Sequence, residues 1–227
     1  MTDVDDSLKT ALALAYGYLI GSVPLAYLVG RWVRGIDIRT VGSGTVGASN
    51  VWHNVGKGWL FPIAAFDLFV QGMTPVYLAR AMGLGVEVQA AAGPLAIVGH
   101  NCPLFLRFHG GRGVAPAVGV MMALTRLELA LFVIVAGAGW QLTRSAAPWV
   151  LIGFVLLPGL ALYWDRPPAV VLLMVGLLLV TVVKRLTSDR LRGTGVPMRR
   201  LMVNRLLYDR DIADHDAWVR RNAQARR

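Results

Sequence analysis

Apolar stretches long enough to cross a bilayer recur along the 227-residue chain, at about 8–30, 58–80, 88–106, 113–125, 127–144, 147–164 and 168–184. A membrane-spanning helix needs roughly 20 predominantly apolar residues. Only helices and closed barrels satisfy their backbone in lipid, and these stretches lack the two-residue alternation of a barrel strand. The expected fold is therefore all-α, a polytopic integral membrane protein with about seven transmembrane helices. Pro62 and Gly72 interrupt the second stretch and Pro94 the third. The fourth is short enough to be partly interfacial.

Seven crossings put the termini on opposite sides. With the N-terminus outside, the inner loops carry Arg31, Arg34, Arg39, Lys57, Arg107, Arg112 and Arg144. The outer segments carry only Lys9, Arg80, Arg126 and Arg166. Basic residues are retained on the cytoplasmic side, so the expectation is N-terminus out and C-terminus in. Residues 1–190 form the membrane domain on this reading, and 191–227 form a basic cytoplasmic tail.

The formal net charge is +10, and twelve basic against five acidic residues lie between Lys184 and Arg227. Beside a membrane, anionic lipid headgroups rather than nucleic acid are the expected partner of such a tail. Within it, Leu201, Met202, Leu206 and Leu207 interleave with Arg199, Arg200 and Arg205, the pattern of a basic amphipathic helix lying on a leaflet. An ordinary solvated tail is the alternative. Cys102 is the single cysteine, so no disulfide or cysteine-based zinc site forms within one chain. The start, MTDVDDSLKT, is acidic where a cleaved signal would be basic.

Two polar loops fall on the same side. The first holds Gly42, Ser43, Gly44, Thr45 and Gly47, followed by Ser49, Asn50 and His53. Glycines let backbone N–H groups converge on an anion, and Ser43, Thr45 and Ser49 add hydroxyl donors. The second, Gly99-HNCPLFLRFHGGRGVAPAVG, surrounds Arg112 with Gly110, Gly111 and Gly113 and enters the next span at once. A helix start and a guanidinium fork both suit phosphate. Taken singly, the first also reads as a tight inter-helix turn with glycines for packing, and the second as a positive-inside anchor with a flexible hinge. His100 and Asn101 stand at the end of the third span, where a lone histidine is commonly a hydrogen-bonded structural residue. Asp67 and Gln71 share a face inside the second span, as a polar clamp or as part of a site. No Ser/His/Asp triad, zinc motif or nucleotide P-loop is present, so any chemistry rests on positioning and charge stabilisation.

These motifs, together with Gly21-SVPLAYLVGR, Gly72-MTPV and a weaker Arg190-LRG, resemble the bacterial acyl-phosphate:glycerol-3-phosphate acyltransferases, the PlsY family, over about Gly21 to Gly193. The resemblance implies a seven-helix fold in the bacterial inner membrane with a site facing the cytoplasm. It implies transfer of a fatty acyl group from acyl phosphate to the 1-hydroxyl of sn-glycerol 3-phosphate, giving lysophosphatidic acid. Neither a metal nor another cofactor is implied. The donor's phosphate helps accept the proton, which fits the missing protein base.

By position, the resemblance assigns Ser43, Arg112, His100 and Asn101 to catalysis. It assigns Gly42, Gly44, Thr45, Gly47, Ser49, Asn50, His53, Gly110, Gly111, Gly113 and Ser22 to substrate binding, and Asn50 is also expected to orient its loop. Arg190 and Gly193 align with the last motif. The chain departs from the pattern at several points. Thr45, Ser49 and His53 stand for Asn, Thr and Arg. Arg112 and Gln71 stand for Lys, Lys184 and Thr187 for His and Asn, and Gly195 for an acid. Asp67 is offset by one residue from the family's acid. A catalytically altered relative that binds phospholipid precursors, and a transporter of phosphorylated solutes, are the alternative readings.

Overall fold

The computed structural model describes residues 2–187 and 197–211. It is all-helical among these residues, with α1 (Thr2–Gly21), α2 (Leu25–Arg34), α3 (Ala48–Asn54), α4 (Leu60–Ala65), a π-helical stretch (Phe66–Met73), α5 (Thr74–Ala81), α6 (Val86–Asn101), α7 (Val114–Leu124), α8 (Arg126–Thr143), α9 (Ala146–Tyr163), α10 (Pro168–Thr187) and α11 (Met198–Tyr208). Five segments are long and apolar enough to cross a bilayer: Asp5–Arg34, Lys57–Ala81, α8, α9 and α10. The 16-residue α6 and the 11-residue α7 are shorter.

The structure departs from the expected spans in three places. The first is broken at Ser22–Pro24, because Pro24 supplies no N–H and disfavours helix in the residue before it. The second runs on through Pro62 and Gly72 from Leu60 to Ala81, with a π-helical stretch in its middle. The third ends at Asn101, and residues Leu104–Leu106 form a separate 3₁₀ turn.

In lipid, helix association depends on close packing more than on the hydrophobic effect, so small residues mark the contacts. The backbones of α1 and α6 approach at Gly21, where an added Cβ would lie 2.0 Å from the Ala96 carbonyl oxygen. The π-helical stretch and α7 meet the same way at Gly72 and Gly119. Val120, Met121, Phe154, Leu157, Leu173 and Met174 fill the space between α7, α9 and α10.

Cross-links tie the two ends of the bundle. At one end, Arg80 at the close of α5 donates to the Ala123 carbonyl of α7. There too Arg166, between α9 and α10, pairs with the buried Glu128 of α8 at 2.6 Å. At the other end lie both glycine loops, the α8–α9 turn and the close of α10. Arg185 of α10, itself buried, donates to the Ala147 carbonyl there.

The tail helix differs from a simple surface amphipath. Leu201, Asn204 and Arg205 are buried against the bundle, with α9 and α10 as neighbours. Met198, Met202, Val203 and Leu207 stay exposed.

Gly21→Leu forces α1 and α6 apart. Overpacking costs about 1–3 kcal/mol, a fall of roughly 3–10 °C in melting midpoint in detergent. Gly137→Leu, with no atom within 4 Å of an added Cβ, leaves the midpoint unchanged.

Candidate active site

The first loop is organised by one side chain. Asn50 is 3% exposed. Its Nδ2 donates to the carbonyls of Ile38 (2.9 Å), Val41 (3.0 Å) and Thr45 (2.9 Å). Its Oδ1 accepts from the Ser43 amide at 3.2 Å and from Asn54 at 2.9 Å. The amide group thus fastens both arms of the turn to α3. Gly42 sits beside it at φ 55°, and a Cβ there would lie 2.3 Å from the Asn50 Oδ1.

Two of the amides expected to converge on an anion are already bonded within the loop. The Ser43 amide is bonded to Asn50 and the Gly44 amide to the Val41 carbonyl. What the turn offers outward is hydroxyls: Ser43 Oγ and Thr45 Oγ1 are paired at 2.7 Å. Ser49 and His53, four residues apart on α3, are exposed.

Arg39 is bound on its own loop. Its guanidinium grips Asp37 through Nη2 at 2.7 Å and Nε at 3.0 Å, and reaches the Leu106 carbonyl of the second loop at 3.3 Å. The bond to Arg39 holds the Asp37 carboxyl below its ordinary 3.8.

The second loop folds back on the end of α6. The Gly110 amide donates to the Asn101 carbonyl and the Gly111 amide to the His100 carbonyl, satisfying the open carbonyls of a helix C-terminus. Gly111 is the junction of the two loops. A Cβ there would lie 2.1 Å from His100 Nε2 and 2.6 Å from the Val46 carbonyl of the first loop. Glycine is needed for that approach.

His100 is held from behind. Its Nδ1 is 2.7 Å from Gln71 Oε1. Oε1 can only accept, so Nδ1 carries the proton and the lone pair of neutral His100 is on Nε2. Gln71, 1% exposed, uses its Nε2 on the carbonyls of Gly21 (3.0 Å) and Val23 (2.7 Å) at the α1–α2 break. Ser22, by contrast, is fully buried with its hydroxyl donated to the Tyr18 carbonyl at 2.8 Å, which spends its one proton inside the helix.

A narrow cleft opens at this point. Pro24, Val46, Asp67, His100 and Pro103 line it, so the broken first span, the π-helical stretch, α6 and both loops share one hollow.

Asn101 is 2% exposed, and neither atom of its amide has a hydrogen-bond partner. Lys184 of α10 donates to its carbonyl at 2.5 Å. Thr187 is spent on the Val183 carbonyl at 2.7 Å. Arg190 and Gly193 lie outside the described residues.

Arg112, one-fifth exposed, is paired with the carboxylate of Asp209 and donates to that residue's carbonyl at 2.9 Å. Burial pushes its guanidinium down to about 10, Arg185 adds repulsion and Asp211 opposes both; it stays charged at neutral pH. Sequence reasoning missed Asp209. The signal was two acids, Asp209 and Asp211, inside an otherwise basic tail. It also omitted Lys184 from the site, although a basic residue at the close of the last apolar stretch was visible.

The fold and its site define a polytopic membrane protein that gathers hydroxyls, an amide, an imidazole and a guanidinium at one end of a helical bundle. Residues 11–192 match the family described as glycerol-3-phosphate acyltransferase. Glycerol-3-phosphate acyltransferase 4 of Dehalococcoides mccartyi is 38% identical over 216 residues, 92% of each chain. Glycerol-3-phosphate acyltransferase 1 of Deinococcus radiodurans is 43% identical over 162 residues, 71% of this chain and 80% of that one. The crystal structure of PlsY (YgiH), an integral membrane glycerol 3-phosphate acyltransferase in its glycerol 3-phosphate form, superposes with a TM-score of 0.73. It is 23% identical, over 86% of this chain and 93% of that one. Its lysophosphatidic acid form gives 0.71. The chain belongs to the glycerol-3-phosphate acyltransferase family.

Asn50→Asp removes the two amide protons that fasten three carbonyls. Each buried carbonyl left unpaired costs about 1–3 kcal/mol. The variant is expected to lose at least about tenfold in kcat/KM and to melt several degrees lower, measured in matched detergent. Wild-type values for both would show that the loop holds without Asn50.

Proposed function

We propose that the chain transfers a fatty acyl group from acyl phosphate to the 1-hydroxyl of sn-glycerol 3-phosphate, giving lysophosphatidic acid and inorganic phosphate. The observation that carries this reading is the junction at Gly111. Val46 of the first loop and Gly111 of the second, 65 residues apart along the chain, meet there beside His100. The two loops bring the Ser43 and Thr45 hydroxyls and the Arg112 guanidinium to the same end of a membrane bundle, in a member of this family.

The glycerol hydroxyl oxygen attacks the acyl carbonyl carbon. The bond from that carbon to the phosphate oxygen breaks, and the hydroxyl proton leaves with the departing phosphate. No strong protein base is needed. The protein's part is to hold two anionic substrates together and to stabilise charge as it moves. Arg112 and Ser43 hold phosphate oxygens, and Thr45 supports the Ser43 hydroxyl. Asn50 fixes the first loop. His100, with its lone pair on Nε2, and Asn101, with a buried donor unspent, face the reacting groups. The acyl chain lies in lipid beside the cleft at the α1–α2 break.

On this reading the chain crosses the bacterial inner membrane seven times, with its N-terminus outside and its site in the cytoplasm. The crossings are α1–α2, the α4–α5 segment and α6 to α10. Both glycine loops, with Arg107 and Arg112, lie at the end of the bundle away from Arg80 and Arg166, and the excess of basic residues at the loop end supports this sidedness. Residues 1–190 form the membrane domain and 191–227 the tail. The exposed Met198, Met202, Val203 and Leu207, beside exposed Arg199 and Arg200, suit a leaflet of anionic headgroups.

The test is incubation of the purified protein in detergent with palmitoyl phosphate and labelled glycerol 3-phosphate. Lysophosphatidic acid and phosphate appear in equal amounts. Arg112→Ala lowers kcat/KM by about 10²–10³. No product from folded wild-type protein, or uptake of glycerol 3-phosphate into vesicles without acylation, contradicts the reading. Ser43→Ala raises KM for glycerol 3-phosphate about tenfold; unchanged KM and kcat remove Ser43 from the site.

A further inference from the structure

The guanidinium of Arg112 is occupied at one end only. Nη1 meets both the carbonyl and the carboxylate of Asp209. Nε, on the side edge, is buried with no hydrogen-bond partner. A guanidinium offers five N–H donors in a rigid plane, and Nε together with the neighbouring Nη forms a fork that matches two oxygens of a phosphate. A buried charged donor without a partner is costly unless a ligand or water satisfies it.

Asp209 is placed for this contact by the tail. It closes α11 in the left-handed conformation, at φ 58°, which turns its carbonyl and its carboxylate onto the same guanidinium. The helix is anchored by buried groups. Arg185 donates to the Leu206 carbonyl at 2.6 Å, and Arg205 donates to the Leu186 carbonyl at 3.0 Å. Arg205 also pairs with Asp211 at 2.5 Å, and Asn204 donates to the Asp211 carbonyl at 3.0 Å. All four side chains are at most 7% exposed. Asp209 lies past residue 192, where the match to the family ends.

We propose that Asp209 is a positioning residue of the anion site: it grips one end of Arg112 and so presents the side edge of the guanidinium to the phosphate of glycerol 3-phosphate. The C-terminal helix is then part of the site as well as a membrane-surface element. The inference rests on the reading that Arg112 meets a phosphate, and adds what aims it.

The test uses the full-length protein in detergent and reads binding, so it does not depend on turnover. Dissociation constants for glycerol 3-phosphate and for inorganic phosphate are measured by titration calorimetry at fixed salt. Asp209→Asn is the informative variant, because asparagine also tolerates the left-handed conformation. It keeps the carbonyl contact and removes the charge. Weaker binding of glycerol 3-phosphate by about tenfold is expected, with the loss in turnover falling on KM more than on kcat. In an Arg112→Ala background the same change has no further effect. Asp209→Glu, which restores the charge, recovers part of the loss. If Asp209→Asn does not fold, the comparison of Asp209→Glu with wild type carries the test: weaker phosphate binding with an unaltered melting midpoint supports it. Unchanged binding overturns the inference. Tighter binding also overturns it, because a carboxylate that merely competes with the substrate for Arg112 would release the site when neutralised. Binding that responds as expected in a protein without acyl transfer would contradict the enzymatic reading and leave the role of Asp209 standing.

Discussion

The site depends on how the bundle satisfies the carbonyls left open where its first span breaks. Ser22–Pro24 interrupts the helix inside an apolar environment, where an unpaired carbonyl costs several kcal/mol. Gln71 reaches those carbonyls from the π-helical stretch, and its remaining oxygen takes the imidazole of His100. One amide therefore joins the break, the second span and α6. It fixes which nitrogen of His100 bears the proton. A π-helical stretch, which is rare and recurs at functional sites, is the backbone feature that carries Gln71 there. A substitution at Gln71 would disturb packing and chemistry together.

From His100 outward, the loops are held by a few buried or paired groups. Asn50 satisfies five polar groups of the first turn. Gly111 permits the contact between loops. Arg39 spends its charge on Asp37 and on the Leu106 carbonyl. The amides of Ser43, Gly44, Gly110 and Gly111 are consumed in holding the loops, so on the proposed reading the groups that meet a ligand include side chains: hydroxyls from the first loop, a guanidinium and a buried amide from the second. Charge and shape for an anion thus come from positions that can vary while the scaffold stays. That is consistent with Thr45, His53 and Arg112 replacing other residues in a fold that superposes well on PlsY.

The membrane class and the position of both loops were legible in the sequence, because apolar runs and glycine–cation turns are local signals. Helices α8, α9 and α10 fall within a few residues of the expected spans. The break at Ser22–Pro24 was not read, although Pro24 supplied the signal. The family resemblance, now shown by the match over 11–192, rested on the order of several motifs rather than on any one. What the sequence hid is long-range. That the amides of Gly110 and Gly111 cap α6 follows from contacts no local pattern encodes. That Asp209 meets Arg112, ninety-seven residues away, needs the tail folded against α9 and α10. The tail itself read as a surface element because Arg205 looked like a solvated charge, whereas it is buried and paired with Asp211.

The central claim is that the two loops make one seat for phosphate. It is tested most directly by an experimental structure of this protein with glycerol 3-phosphate bound. The account predicts that its phosphate oxygens lie within hydrogen-bonding distance of both Ser43 Oγ and the Arg112 guanidinium. A phosphate that touches only one of the two loops, or a ligand seated in the bundle's middle away from both, would contradict it.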